Sequence, residues 1–118
     1  MRKIQQKYIQ ILRLELEDLE TDIKKLIAEC EKSRESREWS TNVFMENLAI
    51  FNNELLGVNI FENFLTSLDI EKFTTLDEMV EFILKEFQKK VKELGLVPAI
   101  NRLIERKLQK VADYVSRD

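Results

Sequence analysis

The sequence predicts an all-α fold, a helical bundle of four to five helices that forms one domain over residues 1–118. Only two glycines and one proline occur in 118 residues, which leaves few turn residues for a sheet of several strands. Charged residues make up 35% of the chain and apolar residues 44%, a balance typical of amphipathic helices. Apolar residues also recur at spacings of three and four along most of the chain, which is the helical period.

The first predicted helix is long, over about residues 3–38. Its apolar residues alternate spacings of three and four, as in an amphipathic or coiled-coil helix; they are Ile9, Leu12, Leu16, Leu19, Ile23, Leu26 and Cys30. A helix of about 36 residues extends roughly 54 Å, whereas two later helices of about 19 residues reach only about 28 Å. The first helix is therefore expected to overhang its partners.

The polar stretch EKSRESREWSTN, residues 31–42, contains the only tryptophan. The apolar stripe of the first helix ends at Cys30, and Ser40 or Thr41 offers a hydroxyl cap for a new helix. These features predict a corner between two helices. Two alternatives are one helix bent near residues 36–40 and a binding loop with Trp39 as its anchor.

A second helix is predicted over about residues 41–56 and a short third helix over about 60–68. Gly57 is expected to end the former, and the Asn59–Glu62 segment resembles a capping box. The second helix has a wide apolar surface, which predicts a central position in the bundle; its apolar residues are Val43, Phe44, Met45, Leu48, Ile50, Phe51, Leu55 and Leu56.

The last two helices are predicted over about residues 76–94 and 98–116. Thr75 and Glu78 have the spacing of a capping box. Gly95 is suited to end the first of these helices, and Pro98 is suited to the first turn of the next. Both segments carry regular apolar stripes.

Charges predict that the first and last helices are neighbours. Glu15, Asp22 and Glu29 repeat every seven residues on one flank of the first helix, while the last helix carries Lys107, Lys110 and Arg117 on or beside its stripe. This complementary pattern predicts pairing between the two helices, for example between Asp22 and Lys110.

The residue inventory argues against an enzyme. The chain contains no histidine, which excludes Ser-His-Asp catalysis, histidine-ligated zinc and the Glu-x-x-His di-iron bundle. Cys30 lies on an inner stripe and is read as a small buried hydrophobe. We therefore predict no catalytic residue, no metal ligand and no cofactor.

One enzymatic alternative is a magnesium-dependent nucleotide pyrophosphohydrolase that uses carboxylates only. Glu17 and Glu20, and Glu78 and Glu81, have a suitable spacing. Such spacings are common in a chain with 22 acidic residues, and Glu17, Glu78 and Glu81 point away from their apolar stripes. The alternative therefore has little support from the sequence.

The predicted function is that of an interaction module: an adaptor, a chaperone-like binder or an assembly subunit that acts by helix–helix packing. The expected partner is another protein, a second copy, or both. The alternative is a regulatory bundle with a ligand pocket between helices, lined by Phe44, Phe51, Phe61, Phe64 and Phe87.

Trp39 and Phe82 are the candidate partner contacts. Phe82 lies roughly 130° from the apolar stripe of its helix, so it is read as a lid over the 70–73 connection, a partner contact or an ordinary exposed side chain. No apolar run is long enough for a membrane span, and the net charge of -3 does not suggest a nucleic-acid surface. The single cysteine and the lack of a signal peptide predict a cytoplasmic protein.

Overall fold

The computed structural model describes residues 3–36 and 40–117, and within these residues it contains helices and no strand. The α-helices are α1 (Lys3–Glu35), α2 (Thr41–Thr66), α3 (Leu76–Leu94) and α4 (Ala99–Ser116), with a 3-10 turn at Ile70–Lys72. The all-α bundle with a long first helix is therefore confirmed. The molecule is elongated, with principal dimensions of 55 × 30 × 19 Å.

α1 and α2 are two separate helices with a corner between them. Ser40 has an extended backbone, and its side chain accepts the N–H of Val43 at 3.3 Å as the α2 cap. An extended residue interrupts the helical hydrogen bonds, so the alternative of one bent helix is wrong. α1 ends at Glu35, short of the predicted residue 38, which lies with Trp39 outside the described residues.

The predicted boundary at Gly57 is wrong, because α2 continues through this residue and includes the 41–56 segment and residues 60–66 of the predicted third helix. Gly57 is buried, and a Cβ atom placed there would lie 2.6 Å from Cγ1 of Ile100. The glycine therefore allows α4 to approach α2 closely. Asn59 is an exposed residue within the helix and caps nothing.

The predicted ends of the last two helices are confirmed to within one residue. Oγ1 of Thr75 accepts the N–H of Glu78, and the Glu78 carboxylate accepts the N–H of Thr74, both at 3.2 Å. Gly95 adopts the left-handed conformation with φ of 65°, and the Leu96 N–H donates to the Val91 carbonyl. These bonds satisfy backbone groups at both ends of α3.

Three contacts define the arrangement of the helices. Gln5 Nε2 donates to the Phe73 carbonyl at 3.4 Å, so α3 begins beside the start of α1. At the opposite end of α1, Cys30 contacts Phe44, so α1 and α2 are antiparallel. The Val97 N–H donates to Asn53 Oδ1 at 2.8 Å. The α3–α4 turn therefore reaches only the middle of α2.

The main hydrophobic core joins all four helices at the end where they lie side by side; it includes Tyr8, Leu12, Leu16, Phe61, Met79, Ile83, Phe87, Ile104 and Leu108. The predicted α1 stripe is confirmed except at Leu26, which is exposed, while Ile27 packs against the core. Leu26 is uncovered because the α3–α4 turn reaches only the middle of the α1–α2 hairpin, whereas Cys30 further along the stripe is covered by Phe44 of α2.

Candidate functional site

The long α1–α2 hairpin extends beyond the α3–α4 turn. We call residues 24–36 and 40–52 the projecting hairpin. Cys30 and Phe44 are buried against each other in it, with the Cys30 Sγ 3.8 Å from the Phe44 carbonyl oxygen. The Arg34 guanidinium lies 4.8 Å from the centre of the Phe44 ring, a cation–π distance. These contacts hold the two helices together where α3 and α4 do not reach.

One face of the projecting hairpin is apolar and uncovered. Leu26 on α1 and Val43 and Ile50 on α2 are 41%, 42% and 45% exposed. At about 100° per residue, Val43 and Ile50 lie within about 40° of Gly57 and Phe61 around α2. In the bundle, that face of α2 is covered by α4 through Ile100 and by α3 through Phe87. The face of α2 that is buried in the bundle therefore continues into the projecting hairpin, where α3 and α4 do not cover it.

This placement corrects the prediction of a central position for the second helix, which is expected over residues 41–56. Val58, Phe61 and Leu65 belong to the main core. The preceding half of α2 is covered mainly by α1, and Met45 and Leu56 are exposed on another side of the helix. The helix is central only where α3 and α4 are long enough to flank it.

Glu15 forms the predicted pairing between the first and last helices. Its carboxylate lies 2.5 Å from the Lys110 Nζ and 3.5 Å from the Lys107 Nζ. The pairing predicted between Asp22 and Lys110 is wrong, because Lys110 lies opposite Glu15. The seven-residue repeat makes the three acidic residues equivalent, whereas the register of the helices places Glu15 beside the two lysines.

We expect this pairing to weaken in acid. The hydrogen bond from Lys110, followed by the charge of Lys107, lowers the pKa of Glu15 despite some burial. A carboxyl group whose pKa is lowered in the folded state stabilises the fold at a pH above its ordinary, unfolded-state pKa. This contribution disappears as the pH falls through the folded-state pKa. Denaturation of the wild type and Glu15→Gln between pH 3 and 7 should show the greater difference at pH 7. A constant difference would contradict the pairing.

Phe82 packs on the connection before α3. Its ring centre is 5.1 Å from that of Phe73, with the planes tilted by 49°. Phe73 is buried, whereas Phe82 remains 40% exposed. The contact agrees with the lid interpretation, and the exposed part leaves a partner contact at Phe82 as a prediction. Trp39 lies outside the described residues.

We expect Phe82→Ala to reduce the free energy of unfolding by about 1–2 kcal/mol, since it removes half-buried apolar area and an aromatic pair. Chemical denaturation of Phe82→Ala, Phe73→Ala and the double variant would measure the coupling between the rings. Tyr114→Ala is the control, because Tyr114 is an exposed aromatic residue on α4. Strict additivity at positions 73 and 82 would contradict the lid.

The carboxylates proposed for a magnesium site are separated. Glu20 pairs with Lys24 at 3.0 Å on α1, while burial, followed by the nearby charge of Glu20, raises the pKa of Glu62 on α2. Glu78 caps α3, and Glu81 pairs with Lys85 at 3.0 Å. Over residues 3–36 and 40–117, no group of three or more acidic or cysteine side chains could hold a metal ion.

The phenylalanines proposed to line a pocket do not form one cluster, although Phe64 and Phe87 both lie beside Phe61. Phe61 and Phe87 are in ring contact inside the core, with their centres 4.9 Å apart. Phe44 lies in the projecting hairpin, and the Phe64 ring is 5.9 Å from the Lys90 Nζ. Phe61 and Phe87 therefore fill the core with Phe64 at its edge, whereas Phe44 makes its contacts in a different part of the molecule.

A concave surface lies between α1 and α4. This groove has a volume of about 630 Å³. Leu14 and Tyr114 expose apolar surface at its edges, at 60% and 57%. Charged side chains also line it, from Glu15, Asp18, Lys110, Asp113 and Arg117. Ile11 and Val111 also line the groove, which therefore combines four apolar or aromatic side chains with carboxylates and cations.

Comparisons with protein-family models, curated proteins and solved structures find no match to this chain. Among the described residues, no helix is both long enough and apolar enough to cross a membrane.

Proposed function

We propose that this protein is a non-enzymatic interaction module that binds a helical segment through its projecting hairpin. The observation that carries the proposal is the uncovered continuation of the bundle interior at Val43 and Ile50. A partner helix would pack beside α1 and α2 in the projecting hairpin, in the position that α3 and α4 occupy at the main core. The partner is another protein or a second copy, and the module would serve as an adaptor, a chaperone-like binder or an assembly subunit.

Packing on this face would bury apolar surface that the isolated chain leaves in water. Full burial of an aliphatic side chain contributes about 1.5–3 kcal/mol relative to full exposure. Leu26, Val43 and Ile50 are each a little under half exposed, so each would contribute a fraction of that value. Helix-in-groove recognition uses such apolar anchors at helical spacing.

We expect Ile50→Asp to abolish helix binding with little effect on the fold, since Ile50 is exposed and points away from the contact between Cys30 and Phe44. The probe is a stapled, fluorescein-labelled amphipathic helix with a leucine stripe and uncharged flanks, and binding is followed by anisotropy. The matched control is Leu56→Asp, the same change on the same helix about 120° away. Equal loss in both variants would contradict this binding face.

Self-association is tested on the same variants by sedimentation at several protein concentrations. A dimer that Ile50→Asp dissociates and Leu56→Asp leaves intact would identify a second copy as the occupant. A dimer unaffected by both variants would place self-association on another surface.

The second candidate function is a regulatory bundle that binds a ligand, and the observation in its favour is the groove between α1 and α4. Its mixture of carboxylates and cations suits a small zwitterionic ligand. A ligand-dependent rise in melting temperature that is lost in Tyr114→Ala would support this function, and no rise across a zwitterionic ligand library would contradict it.

A further inference from the structure

We infer that the helix bound by the projecting hairpin carries a cationic flank and belongs to another protein, and this inference rests on the proposed function. Within the chain, α4 is already a helix with a cationic flank that packs on α1. Glu15 on α1 faces Lys107 and Lys110 of α4, while the apolar stripes of the two helices meet beside this pairing.

The acidic flank of α1 continues beyond α4. Asp22 and Glu29 follow Glu15 by seven and fourteen residues, and each seven-residue step turns about 20° around the helix. Both side chains are exposed, and no ion pair joins either to another described residue. Asp22 lies at the base of the projecting hairpin and Glu29 within it, on the side of Leu26.

α2 adds carboxylates and no cations to the same region. Its 26 residues contain no lysine or arginine, while Glu46 and Glu54 lie on either side of Ile50 around the helix. Glu54 is half-buried, and burial raises its pKa. A nearby cation would favour the ionised carboxylate. Lys25 and Lys32 on α1 lie about 60° further from the apolar face than Asp22 and Glu29.

A second copy does not fit this charge distribution. Symmetric packing of two projecting hairpins through the apolar face would bring the same acidic flanks together, and like charges opposed across an interface disfavour association. An amphipathic helix with an apolar stripe and lysine or arginine beside it meets both features of the surface. Such a helix has the chemistry that α4 presents to Glu15.

The test compares two stapled, fluorescein-labelled helices with the same leucine stripe. One helix has lysine flanks and the other has glutamate flanks, and both are titrated with the full chain at low salt. We expect the lysine helix to bind roughly tenfold tighter, because several exposed ion pairs each contribute modestly. The preference should diminish at 0.5 M salt, where screening is strong.

The variant Asp22→Lys/Glu29→Lys should remove or reverse the preference. The control Glu93→Lys/Glu105→Lys makes the same change in net charge at exposed positions on α3 and α4, and it should retain the preference. This pair of variants separates a specific acidic flank from general attraction to an acidic protein.

Each other outcome is decisive. If both helices bind equally and Ile50→Asp still abolishes binding, the apolar docking face stands and the cationic flank is wrong. If neither stapled helix binds, nor the uncharged one, the proposed function and this inference both fail. If the chain forms a dimer that Ile50→Asp dissociates, a second copy occupies the face and the inference is overturned.

Discussion

Phe61→Ala is expected to reduce the free energy of unfolding by about 3–5 kcal/mol, the range for truncating a buried aromatic side chain. Phe61 is fully buried, and its ring meets that of Phe87 edge-on, with the centres 4.9 Å apart and the planes at 74°. The change would remove a contact between α2 and α3 and leave a cavity in the main core. Chemical denaturation would measure the loss.

Phe64→Ala is the matched control for this change. Phe64 lies three residues further along the same helix, is half-buried and has its ring centre 6.2 Å from that of Phe61. Its truncation removes the same atoms and leaves a space that water can enter, so we expect less than half the loss. Comparable losses at both positions would contradict the core position of Phe61.

Gly57→Ala is expected to destabilise the fold by about 1–3 kcal/mol, the usual range for an overpacked core. Within an ordinary helix, replacing glycine by alanine is favourable by about 1 kcal/mol. The sign reverses here because the added Cβ would lie 2.6 Å from Cγ1 of Ile100, whose side chain is fully buried. α2 and α4 would have to move apart or the isoleucine would have to change its rotamer.

Two further variants separate these effects. Asn59→Ala lies on the exposed side of α2, so it reports helix propensity alone and should be neutral or slightly stabilising. Ile100→Ala removes the obstructing atoms at its own cost, so Gly57→Ala should be much less harmful in that background. An equal loss with and without the Ile100 side chain would show that the close approach is not the cause.

The parts of the fold that local chemistry determines could be predicted from the sequence. The Thr75 and Glu78 pair, Gly95 and Pro98 act within a few residues, and they give α3 and α4 their ends. The α1 stripe is equally local, because each buried residue follows from the helical period. These features need no information about the neighbouring helices.

Three of the wrong predictions depend on long-range register. Gly57 has the composition of a helix end, and only the position of Ile100 reveals its role in packing. Leu26 continues a regular stripe, but its exposure depends on where the α3–α4 turn stops. Asp22 is equivalent to Glu15 in the repeat, and the choice between them depends on how α4 aligns with α1.

The candidate site was only partly predictable for the same reason. The excess length of the first helix predicts an overhang, and this much follows from counting residues. The uncovered face of the projecting hairpin could be identified only from the way α2 pairs with α1, because the wide apolar surface of α2 suggested complete burial. The sequence shows that Val43 and Ile50 are apolar. It does not show that the α3–α4 turn contacts α2 at Asn53 and leaves these two residues uncovered.

The position of Cys30 gives the projecting hairpin a native chemical reporter. Its thiol is the only one in the chain and is 1% exposed, held against Phe44 apart from the main core. A thiol reagent reaches such a group only when the two helices separate locally. The labelling rate therefore measures how often this end of the molecule opens, without a mutation or an attached probe, and a docked helix would register as a slower rate.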